Sequence, residues 1–186
     1  MNASPNEIKL LVRAIAFASE KHSAQRRKDA AASPYINHPI ALVDVLANEG
    51  NVTNIGTLCA AALHDTIEDT ATTADELKSI FGEKITSIVL ELTDDKSLPK
   101  HIRKEKQIEH APHCSPEAKL VKLADKICNL RNILAAPPAD WSAERKQGYF
   151  DWAAKVVNRV RGTNSELEAI FDTLFKQKNS NEKFSI

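Results

Sequence analysis

Four side chains within two helical turns carry the densest chemistry of the chain: His64, Asp65, Glu68 and Asp69. They close a run of small, strong helix formers, Leu58-Cys59-Ala60-Ala61-Ala62-Leu63, which reads as a helix packed on most sides. Helical spacing stacks His64 under Glu68 and Asp65 under Asp69, over one broad face. Three carboxylates this close repel one another, and an isolated buried charge is costly. Two environments relieve the repulsion. One is a helix end that reaches water with its acids solvated. The other is a bound dication, for which His and Asp side chains are themselves ligands. Two adjacent ligands do not make a site, so both readings stand on this stretch alone.

Other candidates are scattered. Pro39 suits a first helical turn, which places His38 at a helix start with its ring free of the axis. A lone His there is more often a cap or a satisfied core residue than a ligand. Asp125 interrupts an apolar stripe that includes Leu120, Val121, Leu123, Ala124 and Ile127, with Lys122 and Asn129 about one turn to either side. An Asp in such a stripe is either paired or a ligand. The cluster Arg26-Arg27-Lys28 reads as a solvated loop or as a phosphate clamp. A second basic cluster holds Lys100, Arg103, Lys104 and Lys106, of which Lys104 and Lys106 read as ordinary solvated charges. Arg145 and Tyr149 lie one turn apart on a long amphipathic pattern.

These residues need a helical scaffold to bring them together. The 186 residues fit a single domain, 1–186, with frayed ends at 1–6 and 177–186. Lys+Arg and Asp+Glu both number 25, so no global basic field points to nucleic acid. Only five glycines and few aromatics argue against a β-sandwich and against a glycine-rich nucleotide loop. Cys59, Cys114 and Cys128 form no CxxC pair, which points to a reducing compartment. No signal-peptide pattern and no apolar run near the about 20 residues of a bilayer span are present, so a cytoplasmic protein without membrane contact is expected. Ser4 or Asn6 caps a first helix, and Gly50 takes the C′ role after the helix from Ile40. Thr72 or Thr73 caps a helix closed by Gly82, and residues 94–116 read as the loosest part of the chain. Strong helical patterns run from 117, from Trp141 to Arg161 and from Ser165 to Lys176. The expected class is all-α.

Taken together, His38, the His64-Asp65 doublet and Asp125 resemble the metal-binding signature of the HD-domain phosphohydrolases. Tyr35-Ile36-Asn37-His38-Pro39, His64-Asp65-Thr66-Ile67-Glu68-Asp69-Thr70 and Lys122-Leu123-Ala124-Asp125-Lys126 narrow the likeness to the RelA/SpoT-homologue hydrolase domain. Arg26-Arg27-Lys28-Asp29, Leu92-Thr93-Asp94-Asp95-Lys96 and Arg161-Gly162-Thr163-Asn164 resemble the single-domain small alarmone hydrolases of metazoan type. The resemblance implies an HD fold and removal of the 3′-pyrophosphate from ppGpp or pppGpp, with one manganese ion as cofactor. It implies His38, His64, Asp65 and Asp125 as ligands, Glu68 for proton transfer and Asp69 for holding the water or the metal shell. For substrate it implies Arg27 and Lys28 at the base and phosphates, Asn129 at ribose and phosphate, and Lys100, Arg145 and Tyr149 around the nucleotide. Relatives that remove the 2′-phosphate of NADPH or act on adenosine alarmones keep those substrates open, and degenerate HD domains keep a non-catalytic nucleotide-binding role open. A homodimer is left open as well. His22, His101, His110 and His113 receive no role and default to surface or capping positions.

Overall fold

Polar caps set where the helices begin in the computed structural model, which describes residues 4–138 and 140–178. Ser4 Oγ accepts the Glu7 N–H and the Glu7 carboxylate accepts the Ser4 N–H in return, opening α1 (Pro5–Lys21). Single side-chain caps open α3 (Ile55–Leu63) from Asn54, α5 (Ala74–Phe81) from Thr73 and α8 (Pro116–Ala135) from Ser115. Ser142 and Asn164 do the same for α9 (Ala143–Asn158) and α10 (Ser165–Lys176). The remaining helices are α2 (Asn37–Asp44), α4 (Thr66–Asp69), α6 (Glu83–Leu92) and α7 (Lys100–His110). No strand occurs among the described residues, so the class is all-α. Of the stretches expected to fray, Pro5 and Asn6 are already helical, whereas residues 1–3 and 179–186 lie outside the described residues.

α3 is buried all round because nothing on it needs water. Leu58 and Ala61 face an apolar cluster built with α2, α8, α9 and α10, including Leu42, Leu130, Leu167 and Phe171. Cys59, Ala60, Ala62 and Leu63 face a second cluster with Ala14, Leu77, Phe81 and Val89. Small side chains let α1, α2, α6 and α8 all approach it closely. Each fully buried Leu in these clusters contributes about 2 kcal/mol of apolar burial, which fixes α3 as the axis of the fold. No described helix is long and apolar enough to cross a membrane.

Three local expectations are corrected. The helix through the His64-Asp65 doublet is not continuous: α3 stops at Leu63 and α4 starts at Thr66. The His64 ring and the Thr66 hydroxyl bond to the carbonyls of Ala61 and Leu63, acceptors that a continuing helix would have used. Gly50 is not a left-handed cap. Its φ is −93°, a π-helical turn over Val45–Glu49 precedes it, and Asn51 carries the positive φ of 52°. Glycine is required there because a Cβ would meet Leu167 at 2.8 Å. Finally, residues 100–110 of the stretch expected to be loosest form α7. None of its residues is buried and its inward face is polar, so it carries no apolar stripe.

Candidate active site

His38 comes from the start of α2, His64 and Asp65 from the break between α3 and α4, and Asp125 from the middle of α8. The ligand-type atoms of His38, His64 and Asp65 all lie within 4.8 Å of one another, and both rings are buried. His64 Nδ1 is engaged by the Ala61 carbonyl at 2.9 Å, leaving Nε2 against Asp65 Oδ2 at 2.8 Å. A ring anchored through its other nitrogen is how ligand histidines are oriented. His38 Nε2 points at Asp125 Oδ1, 3.1 Å away. Its Nδ1 is buried without a partner. Asp125 is also held by Lys126 at 2.8 Å and Asn129 at 2.6 Å, and Asp65 by the Tyr35 hydroxyl at 2.5 Å. The two imidazoles and the Asp65 carboxylate, a set without thiolate, fit a divalent cation of nitrogen/oxygen preference, with Asp125 beside His38 outside that closest group.

Electrostatics agree with the packing. Burial works against the Asp65 carboxylate, yet the His64 ring beside it holds it below the usual carboxylate range. Burial likewise opposes a charged His64 ring, and Asp65 outweighs it, raising the ring to about 9. Burial pulls His38 down. Glu68 is different: burial pushes its carboxyl up, with Asp94, Asp65 and Asp69 adding repulsion. Its Oε2 accepts the Asp94 N–H at 3.0 Å, and its Oε1 lies 3.5 Å from Arg103. The Asp69 carboxylate pairs with Lys96 instead, while its carbonyl accepts from Gln25.

Three adjoining cavities collect the twelve site residues suggested by the sequence. The first, about 230 Å³, holds the ligand cluster, Glu68 and Asp69. The second, about 280 Å³, is a mostly apolar slot between Tyr35, Ile133, Trp141 and Tyr149, edged by Arg27, Lys28 and Asn129. Arg27 and Asn129 border both. The third, about 250 Å³, is cationic, with Lys100, Arg103, Lys104 and Arg145 against Tyr149 and Trp152. Burial lowers the Lys100 and Lys104 ammonium groups, and neighbouring cations lower them further. Such repulsion is relieved by a polyanion. The loop carrying Arg27 is not simply solvated: its N–H bonds to the Ser33 carbonyl, the Tyr35 N–H bonds back to Gln25, and its guanidinium lies 5.9 Å from the Tyr35 ring.

The sequence likeness now has a frame of known proteins. Residues 14–156 match the HD domain, more than half of the chain. The chain belongs to the HD-domain family. Within it, the chain is 51% identical to the zebrafish (Danio rerio) protein named guanosine-3′,5′-bis(diphosphate) 3′-pyrophosphohydrolase MESH1, over 96% of this chain and 98% of that one. The human (Homo sapiens) protein of the same name is 52% identical over 93% and 97%. A solved structure described as a metazoan ortholog of SpoT that hydrolyses ppGpp and plays a role in starvation responses superposes with a TM-score of 0.90. It is 42% identical, covering 96% of this chain and 98% of that one.

Against this HD-domain scaffold several residues stand out that sequence reasoning passed over. Lys104 is no solvated charge: its Nζ lies 4.7 Å over the Trp152 ring, whose indole N–H donates to the Lys104 carbonyl. His22 is buried, not exposed, with Nδ1 2.6 Å from Gln25 and its ring 4.9 Å from Tyr35. Its backbone N–H does cap α1, as the default reading allowed. Lys126 and Gln107 bond to each other and brace Asp125 and Asp94. The spacing of Lys100, Arg103 and Gln107 at i, i+3 and i+7 was the available signal for α7.

Proposed function

We propose that this protein is a manganese-dependent guanosine-3′,5′-bis(diphosphate) 3′-pyrophosphohydrolase, converting ppGpp or pppGpp with water to GDP or GTP plus pyrophosphate. The observation that carries the reading is the adjacency of an acid-and-imidazole cluster, an apolar slot and a cationic cavity, in a chain half identical to proteins so named. The purine occupies the slot, with the Arg27 guanidinium and the Tyr149 ring available to its faces. Asn129 reaches the ribose side, and Lys28, Lys100 and Arg145 meet phosphate charge. His38, His64, Asp65 and Asp125 would hold one Mn²⁺, whose bound state acidifies a water and neutralises phosphoryl charge. Nitrogen/oxygen ligation is compatible with Mn²⁺ and does not by itself select it over Zn²⁺. Glu68, kept poor in water and unpaired by any ligand histidine, takes the proton of the attacking water. Asp69 orients that water. The P–O bond to the 3′-oxygen breaks, and the departing 3′-oxygen ends protonated.

The test is a manganese-reconstituted assay of ppGpp, pppGpp, pppApp and NADPH with product identification. Pyrophosphate with GDP or GTP is the expected result for the first two. Orthophosphate from NADPH as the main product would move the activity to a 2′-phosphatase. Nucleotide binding without turnover of any of the four would make the protein a scaffold.

A further inference from the structure

We propose that Arg103 is a positioning residue for Glu68, and that the inward face of α7 sets the carboxylate that accepts the proton. The inference rests on the hydrolase reading above. Among the described residues, Lys100 and Lys104 have no acidic partner and stay available to phosphate, whereas the Arg103 Nη1 lies 3.5 Å from Glu68 Oε1. Arg103 thus lines the cationic cavity while its guanidinium faces Glu68, which lines the ligand cavity.

Glu68 has no reason of its own to stay where it is. Its side chain has three rotatable bonds, and Asp65, Asp69 and Asp94 all push on its charge. Two contacts hold it, one on each oxygen, and both trace back to α7. Arg103 faces Oε1 directly. The Asp94 N–H holds Oε2 at 3.0 Å, and Gln107, one turn beyond Arg103, fixes that loop by donating to Asp94 Oδ2 at 2.7 Å. A carboxylate gripped at both ends presents a single orientation to the water, and a displacement of about 1 Å at a reacting group costs on the order of 100-fold.

The test is steady-state kinetics of manganese-loaded Arg103→Ala and Arg103→Lys on ppGpp, with nucleotide affinity measured in the Glu68→Gln background. α7 buries no residue, so both variants are expected to fold, with thermal unfolding as the check. Arg103→Ala should lower kcat roughly 10- to 100-fold and leave KM within about threefold, the pattern of a lost transition-state role. Arg103→Lys, which keeps a cation for Oε1, should recover most of kcat. Adding Arg103→Ala to Glu68→Gln should leave the nucleotide Kd unchanged. A large KM rise with kcat intact, a Lys variant no better than Ala, or weaker binding in the double variant would overturn the assignment. If the unmutated protein leaves ppGpp intact, the hydrolase reading fails. If it turns ppGpp over and Arg103→Ala does too at full rate, only this inference fails.

Discussion

At Glu68 two effects oppose one another: burial and three neighbouring acids raise its pKa, while the Asp94 N–H lowers it. The net direction is upward from 4.5, and the consequence has a definite sign. A base must be ionised, so kcat should rise with pH through a value above 4.5 and fall off on the acid side. Glu68→Gln should lower turnover by about 10²- to 10⁴-fold, abolish that acid limb and leave nucleotide binding largely intact. Because the folded-state pKa is raised, Glu68 stabilises the fold only at low pH and loses that contribution as pH rises through the raised value. At neutral pH the Gln variant is therefore expected to be no less stable than the parent. Lost binding together with lost turnover, or a retained acid limb, would contradict the role. These acids were legible in the sequence because they are neighbours in it. Lys104 was not, since the rings that shelter it, Tyr149 and Trp152, come from α9. The same is true of His22, whose burial depends on Gln25 and Tyr35 folding back over it.

Helix signals worked wherever a cap met an apolar stripe. Ser165–Lys176 follows its Asn164 cap, and Gly82, with φ of 83°, ends α5 as expected. They failed at α7, whose inward face carries Lys100, Arg103 and Gln107 in place of Leu or Val. A helix selected to line a polar cavity lacks the periodicity by which helices are found. They failed differently at Gly50, where glycine ordinarily means positive φ, but here the demand is space beside Leu167. Leu167 is fully buried and cannot swing away freely. Gly50→Ala should therefore destabilise the protein by about 1–3 kcal/mol, the usual cost of overpacking, read as a lower urea midpoint with an unchanged m value. An unchanged or higher midpoint would show that α10 can shift without strain. The break between α3 and α4 was illegible for a related reason: it depends on which side chains take the Ala61 and Leu63 carbonyls.

Across the whole molecule, the chain's most apolar helix serves as the axis, and the chemistry gathers where that axis ends. α3 delivers His64 and Asp65 to the point that α2 and α8 reach with His38 and Asp125. The all-α class was readable from composition and capping, and His38, His64, Asp65 and Asp125 were singled out by their likeness to a family. What only the fold supplies is the meeting of three cavities, because residues such as Arg27, Asn129 and Tyr149 are shared between them from a loop and two helices distant in the chain. The central claim is that four side chains from these elements hold one cation. Anomalous scattering at the manganese edge from crystals of the manganese-loaded protein tests it directly. The account predicts a single strong peak bonded by His38, His64, Asp65 and Asp125. No peak there, or a bound ion without Asp125 in its shell, would contradict it.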